Sequence, residues 1–191
     1  MATKKATNKS SNPTISVSLR IDPKTKYLID LLARDQKRTI TGVIEWAIER
    51  AAAQERFDND SNTFYDEVID DLWSTDESIR LITLALSKPS LLDYDQTRIW
   101  ETIQASPDFW RISNPGSAPK LHKEWIDAPM IQAYWEPLLD HVQKYRHSPS
   151  VRPFSLEEHG VKREELEKRK VKQPKDPDAP FEPFDTKMPY S

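Results

Sequence analysis

The sequence has no cysteine and little glycine, and both shortages exclude whole classes of site. Without cysteine among its 191 residues, the chain cannot form a disulfide, a thiolate nucleophile or a Cys-ligated zinc site. The three glycines, Gly42, Gly116 and Gly160, lie too far apart for a G-x-G-x-x-G fingerprint or a P-loop. Its most apolar stretch, residues 81–86, is far shorter than a membrane span. We therefore expect a cytoplasmic protein with no membrane segment and no standard nucleotide site.

The net charge of −3 hides an asymmetry along the chain. Residues 1–56 carry 11 basic and 6 acidic side chains, residues 57–147 carry 8 and 16, and residues 148–191 carry 9 of each. A basic N-terminal segment joined to an acidic middle is typical of a polyanion-binding module attached to a region that does not bind polyanions. Since only 37% of the residues are apolar and 31% are charged, we also expect part of the chain to be disordered.

Residues 15–21 alternate strictly between apolar and polar side chains, which is the period of a half-buried strand. The apolar positions are Ile15, Val17, Leu19 and Ile21, and the polar positions are Ser16, Ser18 and Arg20. This segment is the only clear strand signal in the sequence.

Two helices are predicted to follow the strand. Asp22 and the proline after it form an N-cap and a first helical position, and this helix should run to about residue 35. Either Thr39 or Thr41 can cap the second helix, which should end near residue 56. Its inward positions recur at helical spacing: Val43, Ile44, Ala47, Ile48 and Ala51.

A lone strand with two short helices encloses almost no core, so this module cannot be stable as a monomer. The simplest partner for the strand is the same strand of a second copy, antiparallel about a two-fold axis. Pairing would double the polar face into a ribbon that can enter a major groove, where Arg reads guanine. The alternative is that the segment forms an edge strand of a larger α+β domain. The sequence shows no other strand with which such an edge strand could pair.

These residues resemble the ribbon-helix-helix DNA-binding proteins of the MetJ/Arc type, over about residues 14–54. The likeness rests on the alternation of residues 16–20, the Asp22-Pro23 helix start, and Arg38-Thr39-Ile40-Thr41 leading into the apolar positions of the second helix. It implies an obligate, intertwined dimer whose ribbon reads the bases of double-stranded DNA with Ser16, Ser18 and Arg20. It also implies an anion site at the N-terminus of the second helix, and we predict these phosphate contacts: Lys24, Lys37, Arg38, Thr39 and Thr41.

Two positions depart from the family pattern. Gly42 lies where a polar helix former is more usual, which would loosen the turn or let a phosphate approach closely. Trp46 lies where the family generally has an exposed polar residue. Two interpretations of Trp46 stay open: a surface shared with Leu28 and Leu31 that docks on the rest of the chain, or a dimer contact.

The sequence predicts a mostly α protein in four segments. Residues 1–13 form a disordered basic arm that either reaches the DNA backbone or only aids solubility, and residues 14–56 form the ribbon-helix-helix module. Residues 57–147 form an acidic domain, a small helical bundle. Residues 148–191 form a charged, solvated helix and a disordered Pro-rich tail. The aromatic residues of this tail either form a short binding motif or belong to an inert tail.

Caps and prolines place the helices of the acidic domain. Ser74-x-x-Glu77 has the spacing of a capping box, and either Asp93 or Asp95 opens the next helix. Residues 121–147 are expected to be helical in pieces, broken or kinked at Pro129 and Pro137.

No residue combination in the sequence indicates catalysis. The acidic residues between Asp70 and Glu77 are interpreted as a solvated face rather than a paired-carboxylate or metal site. The histidines at 122, 141 and 147 lack metal-ligand spacing, and no serine lies in a nucleophile motif. We therefore expect no enzymatic activity, no catalytic residue, no metal site and no cofactor.

The leading functional prediction is a dimeric, sequence-specific transcriptional repressor of bacterial, plasmid or phage origin, with scope for higher assembly on DNA. A second hypothesis is an antitoxin-like chain whose region 57–191 binds and neutralises a partner protein. A third is a plasmid partition or relaxosome accessory protein. The sequence does not separate these three.

Overall fold

A computed structural model of the chain describes residues 15–58, 62–112 and 125–170. The predicted basic arm and Pro-rich tail lie outside the described residues. The chain divides into two compact units, residues 1–67 and 68–191.

The first unit contains a helical hairpin and a short β-hairpin. Helix α1 spans Pro23–Asp35 and helix α2 spans Ile40–Ala52. Strand β1, Arg56–Asp58, pairs antiparallel with strand β2, Thr63–Phe64. The predicted start of α1 is confirmed, since the Asp22 carboxylate accepts a hydrogen bond from the Thr25 N–H at 3.0 Å.

The β-hairpin is absent from the sequence prediction, which has one strand, at residues 15–21, and none at residues 56–64. Arg56 pairs with Phe64 across the hairpin. Phe57 is buried and packs edge to face on Tyr65, with the ring centroids 5.3 Å apart. Strands of three and two residues are too short to produce a period-2 pattern, so only their packing identifies them.

The hairpin also shortens the second predicted helix. Helix α2 ends at Ala52 instead of near residue 56, because the chain turns over residues 53–55 and enters β1. The first compact unit continues to Glu67.

Residues 15–22 have no regular secondary structure within the single chain. A β-strand is defined by hydrogen bonds to a neighbouring strand, and none of the described strands of this chain pairs with the segment. The ribbon therefore stays a prediction about a pair of chains.

The second unit is a helical bundle, and the prediction of a mostly α protein is confirmed for the described residues. Its helices are α3 Tyr65–Leu72, which begins in the first unit, α4 Glu77–Ser87, α5 Tyr94–Ala105, α6 Ala128–Ala133, α7 Trp135–Lys144 and α8 Arg163–Arg169. None of the helices in the described ranges has the length and hydropathy needed to cross a bilayer.

Helix α4 lies at the centre of the bundle, and the reason is visible in the sequence, because residues 79–86 are apolar on nearly every face of the helix. Leu81, Ile82 and Ala85 on this helix are buried. They belong to one apolar cluster whose largest fully buried members include Trp110, Phe109, Ile103, Ile112, Ile131 and Leu138. Trp110 keeps its polar atom satisfied, because its indole N–H donates to the Ile103 carbonyl at 2.9 Å.

Local capping rules locate the helix starts, with one correction. Asp93, one of the two predicted candidates, caps α5 and forms a capping box with Gln96. The predicted Ser74 capping box is wrong: Asp76 caps α4 by accepting from the Ile79 N–H at 3.1 Å, while the Ser74 hydroxyl accepts from the Asp76 N–H. A carboxylate one residue before the helix simply lies closer to the free N–H groups than the serine does.

The two prolines of residues 121–147 do not break helices, contrary to expectation. Pro129 is in the first turn of α6, and Pro137 is in the first turn of α7. A proline lacks an N–H donor, but the first-turn N–H groups of a helix have no intrahelical acceptor to lose. At these positions a proline therefore removes no intrahelical hydrogen bond.

Four apolar residues within 148–170 are part of the core, so the expectation that this segment is a solvated helix is wrong. Phe154, Leu156, Val161 and Leu166 are buried in the apolar cluster of the second unit. The Phe154 N–H donates to the buried Ser106 hydroxyl at 2.8 Å. These four apolar residues are spread over two turns and a short helix, so they form no continuous periodic stripe.

A buried ion pair fastens the last described helix to the bundle. Asp127 is 2% exposed, and its carboxylate accepts from the Arg169 guanidinium at 2.7 and 2.9 Å. Arg111 approaches the same carboxylate at 3.8 Å. The sequence predicts an i, i+4 pair between Glu165 and Arg169, but the two-point interaction with a buried carboxylate has the stronger geometry.

Asp76 is expected to stabilise the second unit in a pH-dependent manner. Hydrogen bonds from the Ser78 hydroxyl and then from the Gln132 amide, at 2.7 Å, hold the pKa of Asp76 below its ordinary value of 3.8. A lowered pKa means that this stabilisation is complete above pH 3.8 and is lost as the pH falls through the folded-state pKa. Asp76→Ala should therefore lower the free energy of unfolding by about 1–2 kcal/mol at pH 7 and by less at pH 3.

Urea unfolding at both pH values measures this difference. Asp71→Ala is the matched control, because Asp71 is exposed on α3 and makes no hydrogen bond or ion pair with the described residues. The control should change the free energy of unfolding by less than about 0.5 kcal/mol. An Asp76→Ala penalty that stays constant from pH 7 to pH 3 would contradict the assignment.

Candidate nucleic-acid interface

The residues predicted to contact DNA are all exposed in the first unit, and they form two groups. Ser16, Ser18 and Arg20 precede α1, and Lys24 lies in its first turn. The other group, residues 37–41, lies at the far end of α1, about 20 Å away along the helix axis. The structure thus separates the predicted base contacts from most of the predicted phosphate contacts.

The apolar residues between the predicted base contacts are exposed too. Ile15, Val17 and Leu19 are 85, 74 and 60% exposed in the single chain. Helix α1 has no buried residue, and α2 has only Val43. Val43 and Phe57 are the only buried apolar side chains in the described part of this unit. Two such residues cannot hold a folded unit together, so one chain leaves its apolar surface uncovered.

The turn between the helices has the geometry of a Schellman motif. The Arg38 N–H donates to the Ala33 carbonyl at 3.0 Å, and the Lys37 N–H donates to the Arg34 carbonyl at 3.4 Å. Lys37 adopts a left-handed conformation, with φ of 52°. The residue types here carry no signal for this cap, because glycine usually occupies such a position.

The start of α2 is fixed by Thr39, which decides between the two predicted caps. The Thr39 hydroxyl accepts a hydrogen bond from the Gly42 N–H at 3.0 Å. A β-carbon at Gly42 would lie 3.3 Å from that hydroxyl, so glycine keeps the cap free of crowding. The N–H groups of Ile40 and Thr41 precede the hydrogen-bonded turns and point out of the helix end, where the helix dipole favours an anion.

Trp46, in the middle of α2, contacts two arginines, one from each end of the helix. The guanidinium carbons of Arg38 and Arg50 each lie 5.9 Å from the Trp46 ring centroid, within cation–π range. Arg50 is not among the residues predicted to touch DNA, although its i, i+4 spacing from Trp46 is a signal that could have found it. Trp46 thus contacts one positive charge that precedes α2 and one in its last turn.

Two of the three acidic residues between Arg20 and Arg38 already interact with neighbouring residues of α1. Asp22 caps α1, and hydrogen bonds from the Thr25 side chain and then from the Thr25 N–H lower the pKa of Asp22 below its ordinary value. Asp30 pairs with Lys26 on α1. The remaining basic side chains of this stretch outnumber its one remaining acid, so the stretch carries a net positive charge.

Lys37→Gly is expected to stabilise the helical hairpin while weakening binding to DNA. A side chain in the left-handed conformation costs about 1 kcal/mol that glycine avoids, so amide hydrogen exchange in α1 should slow. Lys37→Ala is the matched control, because it removes the same charge and keeps the β-carbon. Both variants should lose equal DNA affinity, and equal stabilisation by the two would show that charge, not backbone conformation, is responsible.

Among the described residues, no group of three or more His, Asp or Glu side chains is placed to hold a metal ion. Comparison of the chain with protein-family models, with curated proteins and with solved structures found no match to any of them.

Proposed function

We propose that this chain is a dimeric, sequence-specific DNA-binding protein that represses transcription by covering its operator. In this proposal residues 15–21 of two copies pair as an antiparallel ribbon of the ribbon-helix-helix type. The ribbon enters the major groove with Ser16, Ser18 and Arg20 toward the base edges.

The uncovered apolar face of the first unit is the observation that carries the proposal. Ile15, Val17, Leu19 and Ile21 alternate with the polar residues and are exposed in the single chain. Exposed apolar residues of this kind continue onto the helices, at Tyr27, Leu28, Leu31, Ile40 and Ile48. A second copy would bury both sets at once and leave the intervening polar side chains on the outer face.

The start of α2 supports a phosphate site on each protomer. Its first N–H groups, the exposed Thr41 and the positive charges of Lys37 and Arg38 lie within one short segment. Helix N-termini bind phosphate through such N–H groups. Backbone interactions of this kind set the register of a protein on the duplex, and the ribbon then reads the sequence.

Arg20→Ala tests base reading directly. The operator is first selected from a library of random duplexes with the full chain, and the affinity for the selected duplex is then measured at a fixed salt concentration. Arg20→Ala should weaken specific binding by about 1–3 kcal/mol for each guanine that Arg20 reads, and it should leave the mass of the dimer unchanged. Non-specific binding should weaken far less, because the substitution removes only one of several positive charges.

Arg34→Ala provides the matched control, since it removes the same charge from the last turn of α1. It should reduce specific and non-specific affinity by the same small factor. A selection that enriches no sequence would overturn the proposed function, and so would equal effects of the two substitutions on specificity.

A further inference from the structure

One face of α2 carries a row of residues that the proposed function leaves unexplained. Gly42, Trp46 and Arg50 follow one another at i, i+4 spacing on this helix, so they share a face. Arg38, just before the helix, extends the row at its other end. The two arginines reach the ring between them, since each guanidinium carbon lies 5.9 Å from the Trp46 centroid.

Gly42 leaves room for Arg38 to reach the ring. A β-carbon at position 42 would lie 3.8 Å from the β-carbon of Arg38, in ordinary contact. Helix side chains lean toward the N-terminus of their helix, so a longer side chain at this position would extend toward Arg38. The missing side chain therefore keeps the path from Arg38 to Trp46 open.

The ring contact leaves the charge and the donors of Arg38 available. Neither Arg38 nor Arg50 forms an ion pair with any described residue, although Glu45 and Glu49 also lie on α2. An aromatic ring accepts none of the five N–H donors of a guanidinium as a carboxylate would, and the planar fork of these donors suits a phosphate. Arg38 is thus held beside the start of α2 with its donors available to an anion.

Trp46 lies away from the face of α2 that a second copy would cover. Ile48 is 64% exposed and belongs to that uncovered apolar face. Residues two positions apart on an α-helix are about 200° apart around its axis, so Trp46 lies nearly opposite Ile48. A copy that covers Ile48 therefore leaves Trp46 and its arginines on the other side of the helix.

We propose that Trp46 is a positioning residue that holds Arg38 ready for a DNA phosphate at the start of α2. The inference rests on the proposed function, because it concerns the same phosphate site. A free arginine side chain loses rotamer freedom when it binds, and one that is already held loses less. Arg50 lies eleven residues after the Thr39 cap, about 16 Å along the axis, so its own contact with the ring does not serve that site.

A double-mutant cycle on the full chain tests this role. The measured quantity is the dissociation constant for a labelled duplex of mixed sequence, because phosphate contacts form on every sequence. Trp46→Leu removes the ring but keeps an apolar side chain at this half-buried position. It should weaken binding about tenfold, since each dimer loses the positioning twice. In an Arg38→Ala background the same substitution should change the dissociation constant by less than about twofold.

Arg50→Ala supplies the matched background, because Arg50 lies at the same distance from the same ring. Trp46→Leu should keep its full effect in this background. Trp46→Phe keeps an aromatic face and should retain most of the affinity of the unaltered chain. Equal effects of Trp46→Leu in the Arg38→Ala and Arg50→Ala backgrounds would overturn the proposal, and so would equal losses for Trp46→Leu and Trp46→Phe.

Two measurements without DNA separate positioning from other roles of Trp46. In the nuclear magnetic resonance spectrum of the free chain, the ring current should displace the Arg38 Nε–H signal, and Trp46→Leu should return it to its ordinary position. An undisplaced signal would overturn the contact. A lower mass of Trp46→Leu in light scattering would reveal a dimer contact instead and would also overturn the positioning role. Selection of duplexes tests the proposed function separately, since it reports base reading by Arg20, which none of these substitutions removes.

Discussion

Val17→Ser is expected to abolish dimerisation and, with it, specific DNA binding. Val17 is 74% exposed in the single chain, so the substitution would cost a monomer less than about 0.5 kcal/mol. In the proposed ribbon the same side chain would be buried, and burial of a valine is worth about 1.5–3 kcal/mol. The two-fold axis doubles this loss, so the dimer dissociation constant should rise about a hundredfold or more.

Light scattering over a range of protein concentrations measures that constant. Ser18→Ala is the matched control, because Ser18 is the adjacent residue on the opposite face of the ribbon and should affect DNA binding without affecting the dimer. Exchanged phenotypes would mean that the ribbon has the opposite register. Equal dissociation constants for Val17→Ser and the unaltered chain would contradict the burial of Val17 in the ribbon, and a monomeric mass for the unaltered chain would contradict the dimer itself.

Phe154→Ala is expected to lower the free energy of unfolding of the second unit by about 3–5 kcal/mol. Phe154 is fully buried and stacks on Phe109 at 5.5 Å and on His159 at 4.7 Å between ring centroids. Its removal leaves a cavity beside Ser106, whose hydroxyl accepts the Phe154 N–H at 2.8 Å. The segment after residue 148 would then lose its main attachment to the bundle.

Urea unfolding followed by tryptophan fluorescence measures the loss, because Trp100, Trp110 and Trp135 lie in the same apolar cluster. Glu164→Ala provides the comparison, since Glu164 is exposed on α8 and should contribute less than about 0.5 kcal/mol. Equal stabilities for these two variants would contradict the burial of this segment and would favour the solvated helix that the sequence predicts.

Helix starts are the most predictable part of the fold. Asp22 before α1, Thr39 before α2 and Asp93 before α5 are all predicted caps that the structure confirms. A cap depends on a side chain and an N–H group only two or three residues apart, so neighbouring residues are enough to specify it. For α4 the sequence indicates Ser74 where the structure has Asp76, an error of two residues within the same local rule.

The sequence predicts which residues of the candidate interface share a face, but it predicts less about their positions in space. The alternation of residues 15–21 indicates which side chains share a face, and the exposure of both faces in the single chain leaves the choice of partner as a prediction. The left-handed Lys37 emerges only from the structure, because it depends on how the chain turns between α1 and α2. The position of Arg50 beside Trp46 is different, since both residues lie on α2 and their i, i+4 spacing is visible in the sequence.

The sequence by itself determined what depends on near neighbours: the mostly helical content, the caps, the central apolar helix α4 and the basic character of the N-terminal segment. Only the tertiary structure decided which distant residues meet. Asp127 and Arg169 are 42 positions apart, and Phe154 and Ser106 are 48 positions apart. Pairings of that separation depend on the path of the whole chain, whereas caps and helical periodicity depend on a single turn.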